Sequence, residues 1–305
     1  MAKIQSKKKK NLTRTLFILF GIAVPVLNFL VFYLYANFSS FTMAFTNNRG
    51  ELSFDNFLRL WKAVSEADSD LRVALKNTLL MFGVLVVQFP FQVLVSYFLY
   101  KKVPGHKFYR IVFFLPTIIF SVAVSMVFKQ MVGTNGFIAK AIGDLMGLDY
   151  VPDLLADSRF ANATVIIQWL WLKFPGDLII WGGTFARIPE EILESARVDG
   201  VNWWKEFTKI IVPMVWPTVA LKMVLLGCGL FSASGNVFLL TRGQYGTETI
   251  TSWMYNTLQG NSGAAYASNV YNYLSAVGLA ITVIAVTLSS FIRKWTDRVF
   301  EEVEF

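Results

Sequence analysis

Six long apolar stretches, at residues 15–38, 77–100, 111–128, 161–185, 213–240 and 271–292, constrain this chain more than any other feature. Each is close to or above the ~20 residues that cross the hydrocarbon core of a bilayer as a helix. Four of the six contain no charged residue. Inside lipid a backbone amide has no water to bond, so a spanning segment must satisfy its own polar groups, which a helix does. The pattern predicts an all-α polytopic membrane protein with six transmembrane helices. Composition agrees: 55% of the 305 residues are hydrophobic and 16% charged, against about a quarter charged in a soluble domain.

The first stretch follows a basic cluster, Lys3 and Lys7 to Lys10. Such a start can be a signal peptide. Here the apolar part is long and has no A-x-A cleavage pattern, so it reads as a retained first helix. The lysines then serve as a topology anchor that also attracts lipid headgroups. The net charge of +8 is explained by this kind of flanking rather than by nucleic acid. With the N-terminus inside, segments 1–14, 101–110, 186–212 and 293–305 carry 17 Lys and Arg in 64 positions. Segments 39–76, 129–160 and 241–270 carry 9 in 100. The contrast predicts cytoplasmic N- and C-termini. The expected organisation is a basic N-terminus (1–14), a first helix (15–38), an extracytoplasmic loop (39–76), a core (77–292) and a short C-terminal tail (293–305).

The external loops carry helical spacing at 54–64, 71–79 and 135–148, short surface or run-in helices. The single Cys228 and single His106 exclude an internal disulfide and make a histidine- or cysteine-rich metal site untenable. No G-x-x-x-x-G-K-[ST] loop occurs, and no nucleophile–base set sits in a plausible aqueous pocket. The chain reads as no enzyme, and no cofactor is expected on it.

The connection at 189–217 is unlike a plain loop. Pro189 suits a first helical turn. Glu190 and Glu191 follow where the helix dipole favours negative charge. Ile192, Leu193 and Ala196 give an apolar face. Gly200 can take the left-handed conformation that ends a helix, and Asn202 can cap the next. Trp203, Trp204, Phe207, Ile210 and Ile211 give the second helix its apolar surface, limited by Pro213. An amphipathic connector lying on the membrane would need no more than this.

The residues carry a resemblance as well. Glu194-Ser195-Ala196, Asp199-Gly200, Ile210 and Pro213 resemble the "EAA" loop of ABC-importer permeases, which runs E-A-A, three residues, G, nine residues, I, one residue, L-P. Ser195 stands for an alanine and Val212 for the leucine. Phe114-Leu115-Pro116, Asn135-Gly136, Gly147-Leu148 and Leu239-Leu240-Thr241 extend the likeness to the carbohydrate branch, the maltose and glycerol-phosphate permease group. Gly243-Gln244-Tyr245 departs from that branch's G-G-P and leaves the shape of this loop open. The resemblance implies the type I importer (MetI-like) fold with one extra N-terminal helix, in a bacterial plasma membrane. It implies that residues 189–212 couple to a separate ATPase, which holds the ATP and Mg, with Glu194, Ser195, Ala196, Asp199, Gly200, Ile210 and Pro213 as coupling residues. Two ATPase subunits, a homologous second permease forming a heterodimer, and an extracytoplasmic binding protein delivering a sugar or oligosaccharide would complete the machine. Glycerol phosphate, an oligouronide or another polyol fits the same family. An ion-coupled secondary transporter is the alternative from another class, and a structural or signalling membrane protein leaves the coupling pattern unexplained.

Three charges fall within spans: Lys173, Asp177 and Lys222. Such groups are costly and seek a partner or cavity. Lys173 and Asp177 share a helix face, and Asp177 and Lys222 sit at matching depth, so Asp177 is expected to pair with one of the lysines. For a substrate pathway, aromatic and hydrogen-bonding side chains are the candidates: Gln168, Trp169 and Trp171 on the fourth span, and Ser232, Ser234 and Asn236 on the fifth. Interfacial tryptophans and serines at close helix contacts explain the same residues without a solute.

Overall fold

The computed structural model describes residues 17–66, 69–147, 150, 152–260 and 264–299, with side chains from 269 onward in the last segment. The basic cluster before residue 17 and the tail after 299 lie outside the described residues. Among them the regular structure is helical; one isolated bridge, Thr46–Leu52, is the only β pairing. The chain divides into two compact units, Met1–Lys62 with Asn261–Ala280, and Ala63–Gly260 with Ile281–Phe305.

The first unit holds α1 (Phe17–Ala44), most of α2 (Asp55–Ser65) and the start of α14 (Ala264–Val299). Helix α1 passes through a π-helical stretch, Phe29–Tyr35. Residues 17–38 are exposed throughout, as expected of an apolar helix whose solvent is lipid. The loop from α1 to α2 is held by Asn56, whose Nδ2 donates to Ala44 O (3.1 Å) and Thr46 O (2.9 Å). Phe45 packs against Phe54 and Phe57.

The second unit is built around α3 (Asp70–Tyr100), a 31-residue helix. Ser69 caps it, Oγ accepting the Arg72 N–H at 3.2 Å. It starts seven residues ahead of the apolar stretch, so the run-in at 71–79 is part of the same helix. The third span is not straight. Helix α4 (His106–Ile118) stops two residues after Pro116, and the axis turns 102° into the stretch Ser121–Met146, which comprises α5 (Ser121–Val132) and α6 (Phe137–Met146). The fourth span is α7 (Ala161–Lys173) and α8 (Leu178–Phe185), interrupted at 174–177. Pro175 has no N–H, and Leu178 N–H bonds Pro175 O rather than Phe174 O. Gln92 of α3 takes up that carbonyl, its Nε2 donating to Phe174 O at 3.1 Å.

After α9 (Glu190–Val198) and α10 (Trp203–Met214), the axis bends by 76° into α11 (Trp216–Cys228). Pro213 and Pro217 bracket the bend. A proline disfavours helical geometry in the residue before it, and α10 relaxes to π geometry over Phe207–Ile211 just ahead of Pro213. The fifth span was expected to be helical over 213–240. It instead gives way after α11 to a single 3-10 turn, Leu230–Ser232, an irregular stretch at 233–236, and α12 (Val237–Leu240). Gly229 and Gly235 (φ +54°) lie at this break. Gly235 also lets Trp169 approach, since an added Cβ would stand 3.2 Å from its Cγ. Helix α13 (Ile250–Gly260) follows. Among the described residues, four helices are long and apolar enough to cross a membrane, or up to six with each bent pair counted as one span.

Two apolar clusters organise the second unit. One gathers Met81, Phe128, Val132, Val165, Trp169 and Val237 with their neighbours. The other gathers Val93, Tyr97, Trp181, Phe185, Leu193, Phe207, Ile211 and Val219.

Candidate functional site

Helix α9 is capped by Pro189 (φ −58°, ψ 131°), which therefore stands just outside the helix rather than in its first turn. Glu190 and Glu191 occupy the first turn and Arg197 the last, each matched to the dipole end beside it. The helix is two-faced. Leu193 and Ala196 are buried, at 3% and 4% exposure. Glu194, Ser195 and Asp199 are exposed, and Val198 is 87% exposed. Burying one leucine is worth about 2 kcal/mol, and Leu193 does so in the same cluster as Trp181 and Phe185 of α8 and Tyr97 of α3. Leu193 thereby packs α9 into a cluster shared with two spans.

Gly200 turns the chain with φ +69°, a conformation that a side chain resists. Asn202 caps α10, its Oδ1 accepting the Lys205 N–H at 2.9 Å. Within α10 it is Ile211 that is fully buried; Ile210 and Pro213 are half-buried.

Sequence reasoning missed Glu206. It is 2% exposed. Lys101 Nζ donates to both carboxylate oxygens, at 2.7 and 2.8 Å, and Tyr97 OH donates to Oε1 at 3.1 Å. Apolar spacing did not single it out: Trp203, three residues before it, is 50% exposed and Ile210, four after it, only half-buried.

At the opposite end of α3 a second set of bonds was also missed. Asn77 Nδ2 donates to Gly246 O (2.7 Å) and Glu248 O (2.8 Å), and Thr78 Oγ1 accepts the Ile250 N–H (2.9 Å). These hold the loop 241–249, where Gly243-Gln244-Tyr245 replaces the G-G-P pattern. The loop turns through positive φ at Arg242, Gly243, Tyr245 and Gly246. Burial pushes the Glu248 carboxyl above its ordinary range, partly offset by the bond from Asn256.

The intramembrane charges meet. Lys222 Nζ donates to Asp177 Oδ1, joining α11 to the interruption between α7 and α8. Lys173 lines the same cavity of about 420 Å³, together with Gln88, Gln92, Trp169 and Ser232. The other pathway candidates scatter. Gln168 is fully buried, with Nε2 donating to Ser125 Oγ at 3.0 Å. Asn236 Nδ2 donates to the same oxygen at 3.1 Å and to Gln168 Oε1 at 3.3 Å. These three tie α5, α7 and the irregular stretch together. Trp169 is 5% exposed and packs in the apolar cluster. Trp171 faces a separate, apolar groove between α3, α4 and α7. Ser234 is half-buried.

The sequence profile of binding-protein-dependent transport system inner membrane components matches residues 72–301. The chain belongs to that family. It is a multi-pass membrane permease, a transport subunit and not an enzyme, whose ATPase is a separate subunit. The permease is 25% identical over 269 residues to the multiple sugar-binding transport system permease of Streptococcus mutans, covering 86% of this chain and 89% of that one. It is 26% identical over 282 residues to the lactose transport system permease of Rhizobium radiobacter, covering 88% and 89%. A permease for osmoprotective compounds from Synechocystis is 31% identical over 196 residues, covering 61% and 69%. The fold matches a chain of a bacterial ABC transporter that imports the acidic polysaccharide alginate, with TM-score 0.77, 22% identity, and 96% and 99% of the two chains covered.

Proposed function

We propose that this permease is one of two homologous membrane subunits of an ATP-driven importer for a sugar or oligosaccharide. An extracytoplasmic binding protein delivers the solute. Two ATPase subunits, which hold the ATP and Mg, engage residues 189–212 from the cytoplasm. The termini lie on the same cytoplasmic side, as the Lys and Arg distribution favours.

The observation that carries the reading is the two-faced α9. Its outer face, with Glu194, Ser195 and an 87%-exposed Val198, is open to a partner. Its inner face is anchored through Leu193 to α3 and α8. A connector lying flat on lipid would turn its apolar side outward; here the apolar side is spent on the bundle. Relatives named for sugars and lactose support a carbohydrate cargo. The relative named for osmoprotective compounds favours a non-sugar solute of the same family, such as glycerol phosphate or a polyol, as the second reading.

The test is purification of the complex through a tag on this chain. An ATPase should co-elute, and Glu194→Lys or Gly200→Pro should release it. Unchanged assembly and transport in both variants would overturn the reading. A thermal-shift screen of the associated binding protein against mono-, di- and oligosaccharides and polyols then decides the cargo.

A further inference from the structure

Helix α3 is fastened at both ends. Its 31 residues extend about 46 Å at 1.5 Å per residue. At one end Tyr97 and Lys101 hold Glu206 of α10. At the other, Asn77 and Thr78 hold the backbone of the loop at 246–250. The helix continues without a break across Pro90.

Beside a long bond from Tyr97 OH to Trp203 O at 3.5 Å, aromatic rings meet between α3 and α10. Tyr97 meets Phe207 at 5.2 Å and Phe98 meets Trp203 at 5.4 Å between centroids. Apolar surfaces packed in this way can slide by small shear steps. A carboxylate gripped by an ammonium on both oxygens and by a phenol has one geometry. Glu206 is also an expensive choice, because burying a charge costs several kcal/mol and even a good ion pair is often no more stabilising than apolar packing. Its value lies in fixing a register rather than in adding stability.

We propose that Glu206 is a positioning residue for coupling. It locks α10 to α3 in one register, so that displacement of α9 by the ATPase reaches the 241–250 loop at the far end of α3 as one rigid movement. The proposal rests on the importer reading above and assigns the element that carries the signal across the membrane.

The experiment uses the complete complex in proteoliposomes with its binding protein and transported solute. It measures solute imported per ATP hydrolysed, together with subunit ratio and melting temperature. Glu206→Gln keeps the shape and removes the charge. It is expected to lower transport per ATP about tenfold, with the ATPase still bound in normal ratio. Tyr97→Phe, which removes the phenol from Glu206 and Trp203 O but leaves Lys101 in place, should give a smaller fall of about threefold. The charge swap Lys101→Glu with Glu206→Lys should recover most of the loss. An assembled Glu206→Gln complex with unchanged transport per ATP overturns the proposal. So does a loss that follows the melting temperature and is not recovered by the swap. If the importer reading itself is wrong, the wild-type complex will show no ATP hydrolysis linked to the binding protein, a result visible before any variant is made.

Discussion

Lys222 of α11 donates to Asp177, the residue immediately before α8, so two consecutive spans are joined by an ion pair inside the apolar layer. The side chains are 18% and 31% exposed, and both line the 420 Å³ cavity. The pair is thus partly open to that cavity, and the cost of removing one partner is set by the charge left behind.

Asp177→Asn alone should therefore destabilise the permease by about 1–3 kcal/mol, below the 3–5 of a fully buried pair. Asp177→Asn with Lys222→Met should recover part of that loss. Thermal unfolding of the detergent-solubilised complex reads both, and a double variant less stable than either single one would contradict the account.

Gly200 and Gly136 make opposite kinds of demand. At Gly200 a Cβ meets nothing within 4 Å, but φ is +69°. Gly200→Ala should cost about 1 kcal/mol through backbone strain alone. At Gly136 a Cβ would lie 2.0 Å from the Met131 carbonyl oxygen. Backbone must move to admit it, so Gly136→Ala should cost more, about 2–3 kcal/mol. Comparative melting of the two variants checks the order.

Glu248 predicts a pH dependence. Burial raises its carboxyl above the ordinary 4.5, so the folded chain holds the proton more tightly than the unfolded chain. Its contribution to stability is present in full below pH 4.5 and is lost as pH rises through the raised folded value. Glu248→Gln, which stays neutral, should flatten stability over that window and leave the variant more stable than wild type above it. A melting series against pH, wild type beside variant, decides.

Truncating Leu193 in the buried set around Trp181 and Phe185 tests whether α9 is held from within. Leu193→Ala should cost about 2–3 kcal/mol by leaving a cavity between α9 and the spans. It should loosen α9 without touching the exposed Glu194 and Val198. Hydrogen exchange across residues 190–198 should quicken while that of α7 stays unchanged.

Much of this architecture is legible in the residues. Apolar length located the spans, and Gly200 and Asn202 marked the turn and cap between α9 and α10 with the geometry found. What escaped has physical causes. Hydropathy averages over a window and cannot see a backbone that stops being helical, so the fifth span was expected to be continuous. Ser232, Ser234 and Asn236, at i, i+2 and i+4, could not all share one face even of a regular helix, and across the break they reach different surroundings. A glutamate normally reads as solvated, which hid Glu206. The bonds from Asn77 to Gly246 and Glu248 join positions 169 and 171 residues apart, a separation no local pattern can signal.

The interruption at 229–236 acts as a compass. Irregular backbone at membrane depth is tolerated only where protein or water surrounds it. The side of the permease that carries Ser232 and Ala233, both on the charged cavity, is thereby barred from facing lipid. This sets the rotation of the bundle about the membrane normal and directs that side towards the interior of any assembly the chain enters.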